Sequence, residues 1–180
     1  RDLIADDELD GGRSRLRRIV ENVVIGETYF FREPAQIEYF VQYVLANASL
    51  VGNPLRSLRI LSAGCSTGEE AYSLAMAVDA LGEAIANRVT IVGIDICAES
   101  IRKARAGIYS PWSLRATPAE ARNAYFRQQG ESYAISERIR SRVRFEERNL
   151  FEVDVDFWAP GVFDVIFCRN VGIHLSTRAW

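Results

Sequence analysis

The sequence predicts an α/β fold built on a parallel sheet with helices on both faces, and three observations carry that prediction. Apolar, β-branched runs at Leu58–Ala63, Val89–Ile94, Val143–Phe145 and Phe163–Phe167 have the length of strands. Segments with helical spacing fall between them, at about 69–81 and 98–106, so strands and helices alternate. The first strand also runs straight into Gly64-Cys65-Ser66-Thr67-Gly68, and a helix pattern opens immediately after. Strand, tight glycine turn and helix together set the backbone N–H groups of a helix start against a ligand.

Composition sets the limits. The chain has 180 residues with 26% charged and a formal net charge of -2, which suits one globular domain and gives no electrostatic case for nucleic-acid binding. It has no apolar run long enough to span a bilayer, and no signal peptide is expected from its first residues. The three cysteines, Cys65, Cys97 and Cys168, lack metal-ligand spacing. They fit small buried apolar positions near strand ends in a reduced, cytoplasmic protein, and no metal is expected.

In chain order, 9–24 is expected to form a short helix packing Leu16, Ile19, Val20 and Val23, with Arg13, Arg15, Arg17 and Arg18 on a solvated face or on a docking surface for an acidic partner. Three aromatics, Tyr29-Phe30-Phe31, precede Arg32-Glu33. Pro34 then opens a helix with Ile37, Phe40, Val41, Val44, Leu45 and Ala48 at helical spacing, ending near Asn53-Pro54. The helix after the glycine turn carries Leu74, Ala75, Val78 and Leu81 on one face and stops at Gly82. Thr117-Pro118-Ala119-Glu120 predicts another helix start, with a Thr cap and Pro at the first position. Ser132–Ser136 alternates weakly, as a short strand would. Val143–Phe145 and a fully buried Phe163–Phe167 complete the central sheet.

The glycine turn excludes two phosphate-binding motifs. Gly64 and Gly68 enclose three residues without a middle glycine, and no lysine follows. Glu69 and Glu70 stand there instead; they repel a pyrophosphate but suit a positively charged ligand. Ser66 to Glu69 also fits a capping box with Ser66 as N-cap, so a structural role and a ligand role both account for Ser66 and Glu69. The second strand ends in Asp95, the place where an acid takes ribose hydroxyls in nucleotide-binding α/β folds. Right-handed crossovers put every strand's carboxyl end on one edge, which gathers Gly64, Asp95, Asn149 and Arg169-Asn170 there. The whole reads as the adenosine half of a Rossmann-like site.

Six motifs in order carry a resemblance: TYFFRE at 28–33, SAGCSTGEEAYS at 62–73, GID at 93–95, KARAGIY at 103–109, NL at 149–150 and IFCRNV at 166–171. Over about residues 26 to 175 the chain resembles the chemoreceptor glutamate O-methyltransferases, the CheR family. The resemblance implies a class I methyltransferase fold with a small inserted antiparallel subdomain, and transfer of a methyl group from S-adenosylmethionine to glutamates on cytoplasmic helices of chemoreceptors in chemotaxis-like signalling. S-adenosylhomocysteine is then the product. By motif, Gly64 and Glu70 line the cofactor cleft with Glu70 near the methionine ammonium, Asp95 holds the ribose, and Asn149 with Leu150 flanks the adenine. Arg169, Asn170 and Thr28 surround the methionyl part, and Arg32 sits closest to the chemistry. His174 stands where the family usually has a tyrosine near the cofactor.

The resemblance also implies boundaries: a remnant of an N-terminal helical domain at 1–25, a methyltransferase domain at 26–180, and an inserted subdomain at about 128–142. The chain stops after the fourth central strand, where such sheets normally continue, so C-terminal strands are expected to be missing and the chain to be a fragment. The short Gln128–Ser132 segment implies that the insert does not dock a tethered receptor pentapeptide. Two alternatives stay open: a methyltransferase with another acceptor, and a non-catalytic cofactor-binding module. An ionised carboxylate acceptor needs no general base, so the lack of a histidine-centred constellation is no objection.

Overall fold

The computed structural model describes residues 28–48, 57–151 and 153–171. The expected helix over 9–24 with its arginine cluster, the 1–25 remnant, the helix end near Asn53-Pro54, and His174 lie outside the described residues. Helix α1 spans Pro34–Ala48, followed by β1 (Leu58–Ala63), α2 (Glu69–Asp79), a short α3 (Glu83–Ala86), β2 (Val89–Asp95) and α4 (Ala98–Ala106). Then come β3 (Ile108–Tyr109), α5 (Ala119–Tyr125), β4 (Phe126–Gln129), β5 (Ser132–Ile135), α6 (Glu137–Arg140), β6 (Val143–Glu147) and β7 (Val165–Cys168).

Four of the strands form one parallel sheet in the order β6-β2-β1-β7. The register sets Ile60 beside both Ile91 and Val165, and Ile91 beside Val143. Ile60, Ile91, Val143 and Phe145 therefore share a face and join one core cluster with Phe40 and Val44 of α1, Tyr72 and Leu74 of α2, and Ile101 and Ala104 of α4. Each Val, Leu, Ile or Phe among them, taken from water to full burial, contributes about 1.5–3 kcal/mol. Alternation sends Leu61, Ala63, Val92 and Ile94 to the other face, where Leu150, Phe157, Trp158 and Phe163 cover them. That cover is the connection between β6 and β7. The second helical layer expected from the sequence does not come from the described residues.

A three-stranded antiparallel sheet, β3-β5-β4, forms between α4 and β6 and takes in residues from Ile108 to Ile135. Several contacts tie it to the main body, among them the Tyr109 hydroxyl, which donates to Thr67 O at 2.8 Å. Phe30 is fully buried and meets Tyr109 and Phe126 edge to face, at 4.7 and 4.9 Å between centroids. On the far side, Asp79 at the end of α2 accepts from Arg138 Nε at 2.9 Å and Arg142 Nε at 3.1 Å, and its side chain is 1% exposed. Tyr125 adds a hydrogen bond to the same carboxylate.

Four expectations are corrected. Strand β7 is not fully buried: Ile166 is 54% exposed, because among the described residues β7 pairs only with β1 and forms a sheet edge. Cys168 on that strand is exposed for the same reason, whereas Cys65 and Cys97 are buried as expected. Thr117 does not cap α5. Pro118 occupies the cap position in extended backbone and its carbonyl accepts from Arg122 N, which leaves Thr117 one residue too far out, its hydroxyl buried without a hydrogen-bond partner among the described residues. Ser66 does not cap α2 either. Gly68 takes that place with φ 93, and a Cβ there would lie 2.9 Å from Ala104 Cβ and from the Phe145 ring.

Candidate functional site

The site is built where β1 and β7 part company. The chain leaves β1 toward β2 on one side, while β7 arrives on the other, so their carboxyl ends flank the point where strand order reverses. Gly64 ends β1 with φ 69, and a Cβ on it would come within 2.3 Å of Val171 Cγ2. Only glycine lets the two strand exits approach this closely. Gly64 and Cys65 both donate to Ile94 O, at 2.8 and 2.9 Å, which pins the turn to β2.

Asp95 organises the turn rather than merely ending its strand. Its carboxylate accepts from Ser66 N at 2.8 Å and from Cys97 N at 2.9 Å. Ser66 is held in left-handed backbone, φ 49, by the first of these bonds, which is why it is unavailable as a helix cap.

The two neighbouring acids part at the helix start. Glu69 turns inward and is 2% exposed; it accepts from Thr67 Oγ1 at 2.6 Å and is bonded to Ser113. Glu70 turns toward the strand ends. Its Oε1 accepts from Ser62 Oγ at 2.7 Å and its Oε2 lies 3.3 Å from Arg169 Nη1. Desolvation pushes both carboxyls above their ordinary range; for Glu70 the Ser62 hydroxyl and the charges of Arg169 and Arg32 oppose that push. The sequence suggested a pair of acids for a cationic ligand; the fold turns only Glu70 toward Ser62 and Arg169 and buries Glu69.

Arg169 follows β7 and reaches back across the chain. Besides facing Glu70, its Nη1 donates to Arg32 O at 3.0 Å. Its Nη2 is buried and has no hydrogen-bond partner among the described residues. A buried guanidinium N–H left unbonded is costly unless a ligand completes it. Arg32 itself is half-buried, on a segment fixed by Phe30 in the core and by Phe31 N donating to Ser73 Oγ at 2.9 Å. Its guanidinium lies over the Tyr29 ring at 5.7 Å.

Of the residues expected from sequence, Gly64, Glu70, Arg169 and Arg32 thus meet at one spot, with Asp95 joined to it through the 64–66 turn. Asn149 and Leu150 follow β6 on the same sheet edge. Asn149 is exposed and accepts from Phe151 N at 3.0 Å, while Leu150 packs on the second apolar cluster. Asn170 holds left-handed backbone, φ 57, which asparagine tolerates better than most residues. Thr28 is half-buried at the head of the aromatic segment.

Ser62 was missed. It is fully buried, and the signal was present: one hydroxyl on the strand face that otherwise carries Leu58 and Ile60. Among the described residues no cluster of His, Cys, Asp and Glu could hold a metal, and no helix is long and apolar enough to cross a membrane.

A parallel sheet with a glycine turn, a buried acid and an uncompleted guanidinium at its reversal point defines a Rossmann-like cofactor-binding domain. The chain belongs to the CheR methyltransferase family, whose S-adenosylmethionine-binding domain it matches over residues 26–179. It is 34% identical over 170 residues to a Pseudomonas aeruginosa protein described as "Probable biofilm formation methyltransferase WspC", covering 93% of this chain and 39% of that one. It is 36% identical over 167 residues to chemotaxis protein methyltransferase 1 of the same species, covering 89% of this chain and 59% of the relative. A chemotaxis protein methyltransferase of Borreliella burgdorferi is 30% identical over 176 residues, 95% of this chain and 62% of that protein. The chain therefore spans less than two thirds of the length of each of these relatives. Among solved structures, magnesium protoporphyrin IX methyltransferase from Synechocystis overlays with a TM-score of 0.39 at 19% identity, over 94% of this chain and 61% of that one.

Proposed function

We propose that this domain binds S-adenosylmethionine at the β1–β7 edge and serves a protein-glutamate O-methyltransferase acting on chemoreceptors in chemotaxis-like signalling, in the cytoplasm. One observation supports this most: the buried pairing of Glu70 with an Arg169 whose Nη2 still lacks a partner among the described residues. An acid and an unfilled guanidinium side by side fit the ammonium and carboxylate of a methionine tail. In this reading Asp95 takes the ribose, Asn149 and Leu150 flank the adenine, and Gly64, Thr28, Asn170 and His174 complete the pocket.

When bound, the cofactor supplies a methyl group on a positively charged sulfur. The chain's own residues then have two tasks. Arg32 orients an ionised glutamate side chain without gripping the attacking oxygen so tightly that its nucleophilicity is lost. The walls exclude water around two opposite charges that cancel as they react. The acceptor is ionised at neutral pH, so no group needs to remove a proton.

The acceptor would be recognised on the folded helices of the receptor. The β4–β5 hairpin turns within Gly130-Glu131, and its short tip is not expected to hold a tethered peptide. The test is calorimetry with S-adenosylhomocysteine, followed by radiolabelled methyl transfer to receptor cytoplasmic fragments carrying glutamate or glutamine at the modified sites. Arg32→Ala should retain cofactor binding and lose transfer. Undiminished transfer by that variant would remove Arg32 from the mechanism.

A further inference from the structure

Loop 110–117, between the small sheet's first strand and α5, packs against the segment that carries Arg32. Ser113 O accepts from Phe30 N at 2.9 Å, which fastens the loop to that segment. Arg115 then lies with its guanidinium carbon 3.8 Å from the Tyr29 ring centroid and 4.2 Å from that of Trp112, and its Nη1 donates to Trp112 O at 2.8 Å. Arg32 lies against the same Tyr29 ring at 5.7 Å. The four side chains make a continuous stack, Arg32, Tyr29, Arg115, Trp112. It starts beside Glu70, whose carboxyl feels the Arg32 charge, and ends at a Trp that is 65% exposed.

We infer that Arg115, held by Tyr29 and Trp112, is a specificity-determining residue that docks a second acidic side chain of the protein acceptor while Arg32 receives the reacting one. The inference rests on the glutamate-methylation reading. Three features on the page support it. Two guanidinium groups against one ring offer two cationic points side by side, and acids three or four residues apart on a helix offer two neighbouring anionic ones. The rings and the Trp112 carbonyl fix the Arg115 plane beforehand, so docking forfeits little rotamer freedom. Exposed Trp, Tyr and Arg packed together are also the composition that dominates protein-binding energetics. Glu69, buried behind the loop and bonded to Ser113 and Thr67, supports the loop from below.

The experiment compares the full chain with Arg115→Ala, Arg115→Lys and Trp112→Ala. Three quantities are read for each: S-adenosylhomocysteine affinity, thermal midpoint, and KM and kcat with a chemoreceptor cytoplasmic fragment bearing glutamate at its modification sites. Arg115→Ala should raise KM for the fragment about tenfold while kcat, cofactor affinity and midpoint stay within about twofold or a few degrees. Lysine should recover the charge but not the stacked plane, and so give an intermediate KM. Trp112→Ala should follow Arg115→Ala. An unchanged KM, or a KM that rises only in step with lost cofactor affinity and a lower midpoint, overturns the inference. Direct binding of the fragment in the presence of S-adenosylhomocysteine separates it from the reading beneath it. Binding that depends on Arg115 without any methyl transfer sinks the methylation reading and leaves the docking residue standing. Transfer that is indifferent to Arg115, or no binding of the fragment by the unaltered chain, sinks the docking residue.

Discussion

Arg169 Nη1 stands 3.3 Å from Glu70 Oε2, and the same nitrogen donates to the carbonyl of Arg32, a residue 137 positions earlier in the chain. One guanidinium therefore joins the exit of the last described strand, the start of α2 and the aromatic segment ahead of α1. Both partners of the ion pair are largely buried, at 14% and 17% exposure. Removing Arg169 leaves Glu70 buried with only the Ser62 hydroxyl and the smaller effect of the Arg32 charge to offset its desolvation.

Arg169→Ala should accordingly cost roughly 3 kcal/mol in a denaturant melt, the scale of breaking a buried pair, and should abolish tight S-adenosylhomocysteine binding. Arg169→Lys keeps the charge but not the planar fork, and should not restore binding. Full affinity in the lysine variant would show that charge alone matters at this position.

The Asp95 carboxylate serves two backbone N–H groups, those of Ser66 and Cys97. Asparagine offers a single accepting oxygen, so one of the two loses its partner and the 64–66 turn loosens. Asp95→Asn should weaken S-adenosylhomocysteine binding about tenfold or more by calorimetry. A change smaller than twofold would mean that the turn does not depend on this acid.

The pH dependence of stability follows from Glu69. Burial raises its carboxyl above the ordinary value, against the opposing bonds from Thr67 and Ser113 and the charge of Arg115. The folded state thus binds this proton more tightly than the unfolded one. Its contribution to stability is fully present below the ordinary carboxylate range and is lost as pH rises through the raised value. Glu69→Gln removes the titration. The melting temperature of the variant minus that of the unaltered chain should be greatest near about pH 8 and shrink steadily toward about pH 5. A difference that stays flat over that interval would mean that Glu69 does not titrate there.

Asp79 fixes the small antiparallel unit to the end of α2 through Arg138 and Arg142. Arg142 is 15% exposed and cannot fully rehydrate if the acid is removed, whereas Arg138, at 60%, can. Asp79→Ala should therefore cost about 3 kcal/mol, and proteolysis should reach the β4–β5 hairpin faster. Arg138→Ala, by the same reasoning, should cost under about 1 kcal/mol. Equal losses from the two variants would contradict this division.

Much of the frame was legible in the sequence because it is local. Strand-length apolar runs marked β1, β2 and β6. Helical spacing after Gly68 and after Cys97 gave α2 and α4, and Gly82 stopped the first of them where its N–H bonds back to Asp79 O. The cap residues were legible only in part. Ser66 and Thr117 both satisfy a capping pattern, yet Ser66 is drawn into left-handed backbone by Asp95 and Thr117 is displaced by the extended Pro118. A pattern of four residues cannot register a bond to a carboxylate 29 positions away.

What the sequence by itself determined is the inventory and its order: a glycine turn between strand and helix, adjacent acids after it, an acid closing the second strand, and arginines at either end of the domain. Periodicity and backbone preference fix these, since they act over a few residues. Tertiary structure alone decided that Glu70 rather than Glu69 faces the strand ends, that Ser62 and Arg169 hold it, that Arg32 and Arg115 share the Tyr29 ring, and that β7 lies at an edge among the described residues. Those outcomes depend on strand order and on which surfaces can be desolvated together, and such energies arise only between segments far apart in the chain.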